Sequence, residues 1–136
     1  MPDPSSQHGY SGKPLSQKLG MKPGMRVLPI GAPEHYRALL PGTDEVRFLK
    51  SAKQAELVHL FCRHRADLKR RLPGALAKVT DGGMLWVSWP KKSSPLFKDL
   101  TEDDLRTAIL PTGFVDVKVC AVDQDWSGLK FLRRKT

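Results

Sequence analysis

The stretch Gly82-Gly83-Met84-Leu85-Trp86-Val87-Ser88-Trp89-Pro90-Lys91-Lys92 decides how this chain folds. A Gly-Gly turn leads into a run that is apolar at nearly every position, the pattern of a strand covered on both faces in a parallel sheet. The run stops at Pro90, and two lysines follow. In open α/β sheets ligands bind beyond the carboxyl ends of the strands, so Lys91 and Lys92 stand where a ligand would.

Further strands lie upstream, at Met25–Ile30, Val46–Leu49 and Leu57–Cys62. Pro29 is awkward in the first, because proline removes a ladder donor. Leu15–Leu19 reads as a short helix closed by Gly20. Pro33 at a first helical position predicts a helix over Glu34–Leu40. The apolar spacing of Leu68, Leu72, Leu76 and Val79 predicts a longer helix from Arg65, which Pro73 should kink or split. Thr101-Glu102-Asp103-Asp104 is a helix start with a capping threonine and acids at the positive end of the dipole. Phe114–Val122 and Leu129–Arg133 are strands joined by Asp123–Gly128, a connection short enough only for an antiparallel hairpin. The sum is an open, mostly parallel α/β sheet with predicted strand order 2-1-3-4-6-5 and a C-terminal antiparallel hairpin.

The length of 136 residues fits one domain, expected over residues 10–136 after a disordered leader at 1–9. No run is long enough to cross a bilayer, no secretory signal is visible, and a cytoplasmic protein is expected. Cys62 and Cys120 lie in apolar strands and read as free thiols, without zinc spacing. The net charge of +9 favours an anionic partner: a phosphorylated small molecule, an acidic protein surface, or nucleic acid.

The succession of elements over about residues 21–134 resembles a trimmed class I methyltransferase domain, a Rossmann-like fold that binds S-adenosylmethionine. More specifically, Gly-Tyr-Ser-Gly-Lys-Pro-Leu at 9–15, Trp-Val-Ser-Trp-Pro-Lys-Lys at 86–92, Val-Lys-Val-Cys-Ala-Val-Asp at 117–123 and Trp126–Lys130 resemble the bacterial family DUF3052. That resemblance implies no particular activity. The methyltransferase resemblance implies a glycine-rich turn after strand 1 and a carboxylate ending strand 2. Here Leu28–Glu34 carries one glycine, Gly31, and strand 2 ends in Leu49-Lys50. With the motif degenerate, no cofactor is predicted.

The order of strands reverses between strands 1 and 3, which makes that seam the predicted crevice. Gly31, Ala32 and Pro33 should form its floor, Arg63, Arg65, Lys91 and Lys92 should gather above it as an anion site, and Trp89 could stack on a flat ligand group. The basic run Arg63–Arg71 lacks interleaved aromatics and reads as a solvated helix face, so nucleic-acid binding is the weaker reading. His35 and His64 lie near strand-to-helix junctions without a recognisable partner, and no catalytic constellation is legible. Binding, with divergent methyltransferase-like group transfer as the alternative, is the expectation.

Overall fold

The computed structural model describes residues 13–135; the expected leader at 1–9 and residues 9–12 of the motif at 9–15 lie outside them. The order along the chain is α1 (Leu15–Leu19), β1 (Arg26–Ile30), a 3-10 turn (Arg37–Leu39), β2 (Arg47–Phe48), β3 (Ala55–Phe61), α2 (Arg65–Lys78), β4 (Val79–Pro90), α3 (Glu102–Ile109), a second 3-10 turn (Leu110–Thr112), β5 (Phe114–Ala121) and β6 (Trp126–Arg133). The six strands form one sheet in the order β2-β1-β3-β4-β6-β5. Pairings among β1–β4 are parallel, and β6 runs antiparallel to both β4 and β5. This is the architecture expected from the sequence.

Alternation along the strands divides the core into two layers. Leu28, Val58, Leu60, Leu85, Val87 and Trp89 face α2 and α3, where Leu68, Leu72, Leu105 and Ile109 meet them. Val27, Leu57, Phe61 and Trp86 face the other way, toward Leu19 of α1 and toward Tyr36 and Leu40. The Trp86 indole N–H donates to the Leu19 carbonyl at 2.9 Å and fixes α1 over β4.

Local chemistry sets the element ends. Gly20 closes α1 in the left-handed conformation, at φ 84°. Pro29 explains why β2 is so short. The ladder to β2 runs through the Met25 and Val27 carbonyls, which accept from Arg47 and Leu49 at 2.9 Å each. By alternation the next donor to β2 would be residue 29, which is a proline. The capping box predicted at Thr101 forms, with Thr101 and Asp104 bonding each other's backbone. Between Ala55↔Val79 and Leu57↔Met84 the register slips, and the Gly82-Gly83 pair lies in the looped-out excess.

Three expectations are corrected. No α-helix follows Pro33: Tyr36, Ala38, Leu39 and Leu40 each donate three residues back, to Pro33, His35, Tyr36 and Arg37. Burial of Tyr36 and Leu40 holds the segment between Pro33 and Pro41-Gly42 in these tight turns instead. Pro73 does not split α2, which is continuous from Arg65 to Lys78. Trp126 lies in β6 rather than at a loop tip; it is buried, with its ring edge-on to Phe61 at 5.0 Å.

Candidate functional site

The β1-to-β2 connection packs on one face of the sheet and α2 on the other, so the two diverge at the carboxyl ends of β1 and β3. Gly31 leaves β1 there at φ 71°, a conformation that L side chains rarely adopt. A Cβ on it would come within 2.3 Å of Arg71 Nη1 and 3.1 Å of the Phe61 carbonyl. That space belongs to the Arg71 guanidinium, which reaches up from α2 and donates to the Phe61 oxygen at 2.7 Å. A cation therefore occupies the seam.

Arg71 has no carboxylate within ion-pair distance among the described residues, whereas its neighbours do. Asp67 accepts from the Arg63 N–H at 3.0 Å and from Arg70 at 3.0 Å, and the ring of His64 caps α2 by accepting the Asp67 N–H. Burial alone would raise the Asp67 carboxyl. The Arg63 N–H, His64, Arg71 and Arg70 together hold it below the ordinary carboxylate range. Cys62, beneath this group, is pushed up to about 12 by burial and stays a thiol.

The predicted site residues separate into two places. Gly31, Ala32 and Pro33 do follow β1 at the seam, and Arg63 lies two residues past Phe61 with its side chain exposed and free of any carboxylate partner among the described residues. Arg65 turns to α3 instead: its side chain pairs with Asp104 at 3.0 Å and its N–H donates to Asp99 at 2.9 Å. Trp89 is only 7% exposed and lines, with Lys92, Leu100, Thr101, Glu102 and Asp103, a cleft of about 360 Å³ beside α3. Lys91 donates its N–H to the Asp125 carbonyl at 2.8 Å, on the β5–β6 side.

Sequence reasoning missed Arg71 and the partner of His35, and for His59, whose mid-strand place reads as a satisfied core histidine, it missed only which groups satisfy it. Arg71 sat in a basic run on the helix, and only the matching glycine across the seam distinguishes it. His35 does have an acid partner, 88 positions away: its Nε2 lies 2.8 Å from Asp123 Oδ2, while Asp123 Oδ1 accepts the N–H groups of Asp125 and Trp126 at 2.8 and 2.9 Å. His59, fully buried, lies between the Tyr36 hydroxyl at 2.9 Å and the Ser88 hydroxyl at 2.7 Å. Burial drops its pKa to about 3, so it is neutral at pH 7. No local motif announces partners so distant in the chain.

No family model and no curated protein matches this sequence. Solved structures do match the fold. The N-methyltransferase NodS from Bradyrhizobium japonicum is 12% identical with a TM-score of 0.55, over 89% of this chain and 91% of that one. A SAM-dependent methyltransferase from Aquifex aeolicus is 14% identical with a TM-score of 0.53, over 96% and 93%. The cyclase SpnF is 10% identical with a TM-score of 0.63, over 90% and 79%. The chain is thus a class I methyltransferase-like Rossmann domain by fold, a statement about architecture and not about chemistry.

S-adenosylmethionine does not fit the crevice as built. The glycine that should admit a cofactor faces a guanidinium, a poor neighbour for a sulfonium cation. A 3-10 turn replaces the helix whose N-terminus would face the ligand. β2 leads into Leu49-Lys50 with no carboxylate for ribose hydroxyls.

Proposed function

We propose that this protein is a binding domain that takes an anionic ligand, or an acidic surface of a partner, at the β1/β3 crevice, without catalysing a reaction on it. One observation carries the reading: the Arg71 guanidinium stands at the seam beside Gly31, with no carboxylate within ion-pair distance among the described residues. Its remaining donors and the free Arg63 fork suit a phosphate or carboxylate group. Gly31, Ala32 and Pro33 form the wall opposite, Lys91 adds charge from the β4 end, and Arg65, Trp89 and Lys92 contribute only where a ligand extends toward α3. The resemblance of the motifs at 9–15, 86–92, 117–123 and 126–130 to DUF3052 supports membership of that family in this reading, without naming a ligand.

Thermal-shift titration tests it. Pyrophosphate or a phosphate monoester should raise Tm, by an amount corresponding to about 2.7 kcal/mol at a hundredfold excess over Kd. The shift should vanish in Arg71→Ala and shrink in Arg63→Ala. Stabilisation by S-adenosylmethionine with no response to phosphate compounds would replace this reading with a methyltransferase-like one.

A further inference from the structure

A second concentration of positive charge lies on the opposite sheet face, over β5 and β6. Lys118 stands directly across the ladder from Lys130. Like charges directly opposite each other destabilise a sheet. Lys130 is also partly buried, so desolvation and the Lys118 charge both push its ammonium below the ordinary lysine range. Lys18, in the last turn of α1, completes the group: it and Lys118 both act electrostatically on the Cys120 thiol. Lys130 Nζ lies 3.9 Å from where a Cβ on Gly20 would stand, two residues beyond Lys18.

Three lysines from three elements therefore border one patch of sheet. Among the described residues none of them has a carboxylate within ion-pair distance. Edge protection does not account for the group, because one lysine on β5 would serve; Lys130 is on an inner strand. The support is rigid, since the Trp86–Leu19 hydrogen bond fixes α1 and β4 pairs with β6 from Met84 to Pro90. Such a group suits an anion of high charge density.

We propose that Lys18, Lys118 and Lys130 form a phosphate-binding site on the β5–β6 face, separate from the crevice at Arg71. Lysine serves as a point charge for phosphate. A dianion among the three offsets the repulsion between Lys118 and Lys130 across the ladder.

The test is a site-resolved NMR titration of the full chain with pyrophosphate, following the backbone amides of Gly20, Cys120 and Lys130. Saturable shifts at these amides are expected in the wild type and in Arg71→Ala, and their loss is expected in Lys118→Glu. That variant turns repulsion into attraction across the ladder, so its Tm should rise, which also shows that it folds. A short single-stranded oligonucleotide moving the same amides supports the site and assigns phosphodiester as the source; a response to pyrophosphate alone supports it and assigns a small ligand. Shifts confined to Gly31 and its neighbours, or shifts that persist in Lys118→Glu, would overturn the proposal while leaving the crevice reading intact.

Discussion

Replacing Gly31 by alanine tests the seam most directly. Two costs arise. The backbone at φ 71° is left-handed, which costs an L residue about 1–2 kcal/mol. The new Cβ, 2.3 Å from Arg71 Nη1, also expels the guanidinium and forfeits its hydrogen bond to the Phe61 carbonyl. A bond from a charged donor contributes about 1.5–3 kcal/mol, and the lower end applies to this partly buried arginine. Gly31→Ala should therefore lose about 3 kcal/mol. Arg71→Ala should lose about 1.5 kcal/mol, the value of the same bond. In the double variant that bond is lost only once, so the total should stay near 3 and the coupling should be about 1.5 kcal/mol. Urea unfolding of the four proteins measures this cycle. Strict additivity would mean that Arg71 does not occupy the space beside Gly31, and the crevice reading would fall with it.

Other outcomes follow from the same geometry. His59 has a folded pKa of about 3 against about 6.5 when unfolded, so the unfolded chain binds the extra proton between those values. Stability should be flat above pH 6.5 and fall as pH drops toward 3, by up to about 5 kcal/mol from this group. His59→Gln, itself less stable, should flatten that limb, and an unchanged slope would assign the acid sensitivity elsewhere. Ser88→Ala strips a partner from that buried imidazole and should cost about 1–3 kcal/mol in denaturant titrations. Thr101→Ala removes the cap of α3 and should cost about 1 kcal/mol, whereas Thr101→Ser should be close to neutral. Asp123→Ala should lose about 2 kcal/mol through the Asp125 and Trp126 amides, with Asp123→Asn retaining most of it because Oδ1 remains an acceptor.

The sheet was readable because β3 and β4 carry long apolar runs, because the hairpin of β5 and β6 is joined by a short connection, and because Thr101-Glu102-Asp103-Asp104 and Leu19-Gly20 carry their own termination chemistry. The segment after Pro33 was not. Its local pattern suits a helix, but Tyr36 is drawn to His59 in β3 and His35 to Asp123 in the hairpin, contacts that no window of neighbouring residues contains. The candidate site divides the same way. Gly31 and Arg63 could be placed from strand ends alone, whereas Arg65 was drawn to Asp104, 39 positions on. Arg71 was hidden because a helix surface and a crevice look identical in a basic run. Only its distance from a glycine on another strand separates them.

Pro29 has an effect that reaches past this one molecule. A sheet invites recruitment from any margin whose amides and carbonyls lie bare, and fibrous assembly begins that way. On the β2 side, β1 ends in a residue that cannot donate, and the strand that shields it is only two residues long. A stray chain aligning itself there would find too few rungs to hold on, which keeps this flank from seeding aggregates.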